Sequence, residues 1–213
     1  MLFRSQPIII MAKAATCMVG ATNFKPNNAK EMIDFVKTNP GKVAYGSNGV
    51  GGTYHLEMEM LKAKHNLDII HVPYKGGTDG LAASAAGTIP ISFAPCSSVT
   101  PLARAGKVKY LAVLEMKKSP EFPDIPAMGE LIPDYEKING GTDVWAPAAT
   151  PNAVVQKIRD EIDRALALPD VRKRMSEIGF PYSGISREAM LAERSKDFET
   201  SGRAVKIAGL KPE

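Results

Sequence analysis

The glycine turn at residues 46–53 has the residue types best suited to binding chemistry, with the sequence Gly-Ser-Asn-Gly-Val-Gly-Gly-Thr. It follows a strand-like segment, residues 42–45, and precedes a helix-like segment that begins near Thr53. A glycine-rich turn at a helix start exposes backbone N–H groups next to the positive end of the helix dipole. Such a turn suits an anion, most simply a carboxylate or a phosphate. The structural alternative is a turn that needs glycine only for its backbone conformation.

Side chains of the glycine turn give further candidates for ligand contact. The Ser47 hydroxyl either donates to a ligand carboxylate or ties down its own turn, and Thr53 either donates to the ligand or caps the helix. His55, at the helix start, is expected to be a packed, hydrogen-bonded core histidine. The remaining ligand-binding positions of the turn are Gly49, Gly51 and Gly52.

Two more loops follow strand-like segments. The loop at 73–77 contains Tyr74 and Lys75, which either line a cleft or are exposed loop residues. The loop at 94–98 contributes Ser97 and Ser98 as weaker candidates. Because ligands in α/β sheets bind beyond the carboxyl ends of the strands, we expect these two loops and the glycine turn to converge on one pocket.

The composition is that of an ordinary globular protein and argues against a nucleic-acid partner. The chain has 213 residues, of which 44% are hydrophobic and 23% charged, with a formal net charge of +4. Arg172, Lys173 and Arg174 form the one tight basic cluster of the sequence, and its helix-like context favours a solvated face. Aromatic residues are 7% of the chain, too few and too dispersed for base stacking.

Metal and enzyme motifs are not found in the sequence, so we expect no metal, no cofactor and no catalytic residues. The three histidines lack ligand spacing, and the glycine turn satisfies neither GxGxxG nor a Walker A motif. No serine lies in a GxSxG motif with evident partners. Cys17 and Cys96 either pair in an oxidising compartment or remain two buried thiols. No apolar stretch is long enough to span a membrane.

Strand-like and helix-like segments alternate with short connections through the first two thirds of the chain, which predicts a three-layer α/β unit with a parallel sheet. The continuous apolar run 68–72 is typical of a strand inside such a sheet. Asn28 and Glu31 predict a capping box for a helix to about Thr38. Thr150 and Pro151 predict the cap and first position of a long amphipathic helix.

Extended segments at 8–22 and 138–146 flank this unit and indicate two crossover strands to a second body. We therefore divide the chain into a crossover strand and remnant of a first lobe (1–24), a second α/β lobe (25–138), and a second crossover strand with the C-terminal part of the first lobe (139–213). A short strand is expected at 180–183.

The chain resembles the tripartite tricarboxylate transporter substrate-binding family, also called the Bug family, over nearly its whole length. The resemblance is carried, in order and at family-like spacing, by Asn39-Pro40-Gly41-Lys42, Tyr45-Gly46-Ser47, Gly49, Gly51, His55-Leu56, His71-Val72-Pro73-Tyr74-Lys75-Gly76, Arg104-Ala105-Gly106-Lys107, Leu111-Ala112-Val113, Ser119-Pro120, Pro123-Asp124-Ile125-Pro126, Ala146-Pro147, Thr150-Pro151 and Gly209-Leu210-Lys211-Pro212-Glu213.

This resemblance implies a periplasmic-binding-protein-like (type 2) two-lobed clamshell, with a complete second lobe and a partial first lobe. It implies a monomeric periplasmic protein that captures a small carboxylic acid or related organic solute for a membrane transporter. Family members begin with a signal peptide and about half of the first lobe, so the resemblance also implies an N-terminally truncated chain. The alternatives are a cytosolic effector-sensing domain of similar two-lobed fold, or a non-functional gene fragment.

Three positions differ from the family pattern. Gly52 stands where the family usually has threonine, with Thr53 one position later. Ala94 and Pro95 replace a usual Asp-Asn pair, which removes an acidic side chain from the expected pocket wall and disfavours ligands that carry an amine or amide. The usual aromatic residue near Gly141 is missing, which would widen the cleft.

Overall fold

The computed structural model describes residues 4–211. Residues 1–3 and 212–213, which include parts of the predicted first and last segments and the end of the C-terminal family motif, lie outside it. In chain order the strands and helices are β1 (Ser5–Ala12), β2 (Thr16–Ala21), α1 (Ala29–Thr38), β3 (Ala44–Ser47), α2 (Thr53–His65), β4 (Ile70–Pro73), α3 (Gly77–Ala85), β5 (Ile91–Pro95), α4 (Cys96–Arg104), β6 (Val108–Val113), α5 (Met128–Leu131), β7 (Thr142–Pro147), α6 (Asn152–Ala167), α7 (Pro169–Glu177) and α8 (Arg187–Ile207).

Contacts divide the chain into two compact units. Among the described residues, unit 1 contains residues 4–14 together with Asn139–Glu199, and unit 2 contains Ala15–Ile138 together with residues 200–211. The sequence-based division placed residues 15–24 and 200–213 with the first lobe. In the structure the first of these segments lies in unit 2 because β2 pairs with β5 and β6. Ala204 of the second segment packs against residues of α2.

The sheet of unit 2 has five strands in the order β4-β3-β5-β2-β6. β3 is parallel to β4 and β5, whereas β2 is antiparallel to both β5 and β6. The prediction of an all-parallel sheet is therefore wrong at β2, which enters the sheet from the opposite direction. The prediction of an inner strand at 68–72 is also wrong, because β4 lies at the sheet edge and Ile70 is 50% exposed.

Helices cover both faces of this sheet, which gives the three layers expected from the sequence. Successive residues of a strand point to opposite faces, and accordingly Phe93 and Ala94 belong to different core clusters. Phe93 packs in the cluster that contains Met32 of α1 and Met58 of α2. The cluster on the other face contains residues of α3 and α4, such as Leu81 and Val99.

The N-terminus of α1 is capped as the sequence predicts. The Asn28 side chain accepts a hydrogen bond from the Glu31 N–H over 2.9 Å. The Glu31 carboxylate in turn accepts from the Asn27 N–H, one residue earlier than in the standard capping box.

Unit 1 is built on a two-stranded antiparallel sheet, β1 with β7. Its apolar cluster joins Ile8 and Ile9 of β1 to Val155 and Leu166 of α6. On the outer side of α6, Val154 and Ile158 are 46% and 37% exposed. The apolar side chains of this amphipathic helix therefore divide into a buried set, which includes Leu166, and an exposed set, which includes Val154 and Ile158.

Two local predictions in unit 1 are wrong. Thr150 does not cap α6, because Pro151 occupies the N-cap position and no side chain makes a capping hydrogen bond there. The strand expected at 180–183 is reduced to an isolated bridge between Ala12 and Tyr182.

Candidate functional site

The strands β3, β4 and β5 run parallel, so their carboxyl ends lie together. The edge of the unit 2 sheet that carries the candidate site is the one formed by these three carboxyl ends. The glycine turn, the loop at 73–77 and the start of α4 follow these three ends. The Tyr74 N–H donates to the Ser47 carbonyl over 3.1 Å. The ring of Tyr54, at the start of α2, stacks on that of Phe93 in β5, with centroids 5.4 Å apart. The structure thus brings the three predicted segments together at one sheet edge.

Three helices begin at this edge without a capping side chain at the N-cap position. The N-cap residues of α2, α3 and α4 are Gly52, Gly76 and Pro95, and none has a side-chain capping hydrogen bond. Uncapped helix starts leave N–H donors and a partial positive charge at the same place. This edge of the sheet is therefore electropositive through its backbone.

Within the glycine turn, the N–H groups of the predicted glycines are already paired. The Gly49 N–H donates to Ser47 Oγ over 3.1 Å, and the Gly51 N–H donates to His55 Nδ1 over 3.0 Å. The Gly52 N–H donates to the Gly49 carbonyl. Gly49 and Gly51 have φ angles of 105° and 75°, a region that favours glycine. These glycines therefore shape the turn.

Other backbone donors of the turn remain available. For the N–H groups of Asn48, Val50 and Thr53, no hydrogen-bond acceptor is found among residues 4–211. Val50 is exposed and Thr53, the first residue of α2, is half-buried. These three N–H groups are the donors that the turn can offer to an anion.

Ser47 is the last residue of β3 and is buried. Its hydroxyl contacts His71 Nε2 over 2.6 Å and also bonds to the Gly49 carbonyl over 3.2 Å. Of the two roles considered for Ser47 from the sequence, these bonds correspond to the one in which the side chain stabilises its own turn.

His55 is the packed, hydrogen-bonded core histidine that the sequence predicts, with an exposed fraction of 6%. Its ring stacks on His71, with centroids 4.0 Å apart. Burial lowers the pKa of His55, and burial together with the charge of His55 lowers the pKa of His71 to about 4. Both rings are therefore neutral near pH 7.

Two residues of the site had no role in the sequence analysis. His71 was assigned only to a strand, and its contact with Ser47 joins residues 24 positions apart. Asn48 was treated as an ordinary turn residue, although its side-chain oxygen accepts from the Tyr54 N–H over 3.3 Å at the start of α2. An Asn shortly before a predicted helix is a capping signal that could have identified it.

The other predicted contact residues lie at the same edge. Tyr74 is half-buried and Lys75 is exposed, both between β4 and α3. Ser97 and Ser98 lie in the first turn of α4, so the predicted loop at 94–98 is instead the end of a strand joined directly to a helix. The glycine turn and the segments 73–77 and 94–98 contain no Asp or Glu.

A disulfide fixes the start of α4. Cys96, the first residue of the helix, is bonded to Cys17 of β2, and their Cα atoms are 5.1 Å apart. Of the two alternatives left by the sequence, the structure has the paired form.

No group of three His, Cys, Asp or Glu side chains within residues 4–211 is placed to hold a metal ion. None of the helices in that range is both long and apolar enough to cross a membrane.

Comparison with known families decides the family. Residues 3–207 match the family described as the tripartite tricarboxylate transporter family receptor, TctC. The chain belongs to the TctC family. The family resemblance found in the sequence is thereby confirmed, and the members of this family are described as receptors.

A similar sequence is a UPF0065 protein of Bordetella pertussis, 32% identical over 212 residues. The match covers 98% of this TctC-family chain and 64% of that protein, so the chain spans less than two thirds of this relative's length.

Two solved structures are similar to the chain along nearly all of its length. The periplasmic binding protein BugD has a TM-score of 0.79 and 27% identity, with 98% of this chain and 71% of BugD covered. Rpa4515 of R. palustris, solved with adipate, has a TM-score of 0.84 and 24% identity, with 99% of this chain and 70% of that chain covered. The predicted periplasmic-binding-protein-like α/β fold is confirmed.

Proposed function

We propose that this chain is part of a periplasmic solute-binding protein that captures a small carboxylic acid for a tripartite tricarboxylate-type transporter. The observation that carries the proposal is the meeting of three helix starts at one edge of the unit 2 sheet, none of which has a capping side chain at its N-cap residue. Asn48 takes up one N–H group at the start of α2, and the other donors of the turn stay available. Membership in a receptor family supports the transport role. The proposed protein is a monomer that acts together with membrane transporter subunits.

A carboxylate fits this edge by charge. Helix starts and unpaired N–H groups favour an anion. Lys75 adds the positive charge of an exposed side chain, and no Asp or Glu of the three connecting segments opposes it. Ala94 and Pro95, in place of the family's usual Asp-Asn pair, remove one acidic partner for a ligand ammonium group. The acidic side chain in the first turns of α2, α3 and α4 is the exposed Asp79 of α3. The proposed ligand class is therefore a small organic acid without an amine.

The residues of the edge divide into donors and supports. We assign ligand contact to the N–H groups of Asn48, Val50 and Thr53 in the glycine turn. Glycines of the turn set its shape, and Ser47 holds it from inside. The side-chain contacts proposed outside the turn are Tyr74, Lys75, Ser97 and Ser98.

The proposed protein binds its ligand without altering it. Ser47 and His55 are engaged in the support of the turn. Mass spectrometry of adipate incubated with the protein should therefore return adipate alone. Turnover that depends on either side chain would contradict the receptor role.

Amide NMR with adipate and its neutral isostere adipamide tests the proposed site. In two-dimensional ¹H–¹⁵N spectra of the 213-residue chain, adipate should shift the amide signals of Asn48, Val50 and Thr53, because these N–H groups would donate to its carboxylate. Adipamide has the same length without charge and should leave them unmoved. Equal shifts with both compounds, or adipate shifts confined to other regions, would refute the site.

A further inference from the structure

Two histidine rings lie directly behind the glycine turn. His55 belongs to α2 and His71 to β4, and their rings stack at an interplanar angle of 20° with centroids 4.0 Å apart. The His71 ring also stacks on Tyr45 of β3, with centroids 5.0 Å apart. The pair therefore bridges the three elements that surround the turn.

Each ring bonds to a different end of the turn. His55 Nδ1 accepts from the Gly51 N–H over 3.0 Å. His71 Nε2 lies 2.6 Å from Ser47 Oγ, which itself accepts from the Gly49 N–H. Through these bonds the two rings fix the backbone on both sides of Asn48 and Val50, whose N–H groups are the proposed donors.

The hydrogen bond to Gly51 defines the protonation state of His55. A nitrogen that accepts a hydrogen bond carries no proton, so the neutral ring has its hydrogen on Nε2. The charged and titratable groups that face the pair are Glu59 and Lys62 on α2 and Tyr45 on β3. Glu59 Oε1 lies 3.7 Å from His55 Nε2, but it also accepts from Lys62 over 2.7 Å and from Tyr45 over 3.2 Å. The Glu59 carboxylate is therefore already paired with the Lys62 ammonium group.

We propose that His55 and His71 are positioning residues that hold the glycine turn in its ligand-binding shape, and that they do so only while both rings are uncharged. The proposal rests on the proposed function, in which this turn holds the carboxylate. A proton on His55 Nδ1 would place a donor against the Gly51 N–H donor. A second proton on each ring would place two positive charges at stacking distance. Acidification should therefore loosen the turn and weaken carboxylate binding.

Substitutions at His55 separate the hydrogen bond from the packing. In His55→Asn the side-chain amide oxygen can replace Nδ1 as acceptor and does not titrate near neutral pH, whereas His55→Leu has no acceptor. His65→Asn, at the other end of α2, is the matched control because His65 faces Asp134, away from the turn residues that His55 and His71 contact. Hydrogen exchange of the Gly51 amide reports the bond, and NMR titration with adipate reports binding.

The Gly51 amide should exchange about tenfold faster in His55→Leu, and adipate affinity should fall about tenfold, because the Gly51 N–H loses its acceptor and the turn loses its bond to α2. His55→Asn should retain most of both properties, and His65→Asn all of them. If His55→Leu keeps the exchange rate and affinity of the parent, the positioning role is refuted.

The pH dependence is measured without ligand, since adipate itself titrates in acid. Between pH 7 and pH 4 the Gly51 amide signal of the parent should shift together with the ring nitrogen signals of His55 and His71. In the double variant with His55→Asn and His71→Gln that shift should be lost. A Gly51 signal that moves equally in both proteins, or a parent His55 ring with a protonated Nδ1 at pH 7, would overturn the proposal even if His55→Leu does not fold.

Failure of this proposal can be told from failure of the proposed function. If adipate does not shift the turn but Gly51 exchange depends on His55 as described, the rings position the turn and the ligand assignment is wrong. If adipate binds at the turn in the parent and equally in His55→Leu, the ligand assignment stands and the positioning role fails.

Discussion

Glu57 Oε1 accepts a hydrogen bond from the N–H of Ile138 over 2.9 Å and so ties the middle of α2 to the last residue of Ala15–Ile138 in unit 2. The other carboxylate oxygen accepts from the Tyr135 hydroxyl over 3.0 Å. The next residue, Asn139, is held within unit 1 by Asp197. The chain passes from unit 2 to unit 1 between Ile138 and Asn139. Glu57 holds Ile138 within unit 2, and Asp197 holds Asn139 within unit 1.

Glu57→Gln should change how stability depends on pH. Burial raises the pKa of Glu57 from 4.5 to about 7, so the folded state binds more protons than the unfolded state between these values. The contribution of Glu57 to the free energy of unfolding should therefore fall as the pH rises from about 4.5 to about 7. Glutamine keeps one acceptor and one donor without this titration. Urea denaturation at pH 5 and pH 8 should show that the free energy of unfolding of the variant, relative to that of the parent, is higher at pH 8 than at pH 5.

A smaller side chain at the same position serves as the control. Glu57→Ala leaves the Ile138 N–H and Tyr135 hydroxyl without their partner and, like Glu57→Gln, removes the titration, so it should be about 1–3 kcal/mol less stable than Glu57→Gln at either pH. A parent-minus-glutamine difference that stays constant between pH 5 and pH 8 would contradict the assigned titration.

His71 should destabilise the fold in acid. Its pKa falls from 6.5 to about 4 on folding, mainly through burial, so the unfolded state binds more protons between these values. Stability should therefore be lost as the pH falls from about 6.5 toward about 4. His71→Gln should flatten this part of the profile in thermal melts. A profile unchanged by His71→Gln would show that other groups cause the loss.

Ser47→Ala and Ser97→Ala should have different effects on stability and binding. Ser47 is buried and bonded to His71 and Gly49, so its loss should cost about 1–3 kcal/mol of stability as well as adipate affinity. Ser97 is half-buried in the first turn of α4, so its loss should change stability by less than about 0.5 kcal/mol. Denaturation and NMR titration of the two variants check this. A Ser47→Ala protein with parent stability and weakened binding would instead indicate direct ligand contact.

The Cys17–Cys96 disulfide should stabilise the protein. It closes a loop with a sequence separation of 79 residues, and disulfides typically contribute about 2–4 kcal/mol. The Cys17→Ala, Cys96→Ala double variant should lower the melting temperature relative to the oxidised parent, and a reducing agent should lower that of the parent alone. Equal melting temperatures of the oxidised parent and the double variant would show that the bond does not stabilise the fold.

Neighbouring valines of α6 should respond differently to truncation. Val155 is 3% exposed in the apolar cluster of unit 1, whereas Val154 is 46% exposed. Val155→Ala should cost about 1–3 kcal/mol, and Val154→Ala less than about 0.5 kcal/mol. Urea denaturation of both variants measures the difference. A comparable cost for Val154→Ala would mean that its side chain is covered in solution.

Features that depend on neighbouring residues could be predicted from the sequence. The Asn28 cap of α1 was predictable because the cap and its partner are three residues apart. The glycine turn was predictable because a strand, a glycine run and a helix follow one another directly. Ordered family motifs identified the receptor family, and strand–helix alternation predicted the layered α/β unit.

Tertiary structure alone decided the features that join distant segments. The direction of β2, the edge position of β4 and the pairing of Cys17 with Cys96 depend on which strands form hydrogen bonds, and that is not contained in a local pattern. The same holds for the glycine turn, whose sequence suggested that the glycines donate to the ligand. In the structure the Gly51 N–H donates to His55. The Gly49 N–H donates to Ser47, whose hydroxyl also contacts His71 on the neighbouring strand. Each N–H group has one hydrogen to donate, so only the folded arrangement determines which donors remain for a ligand.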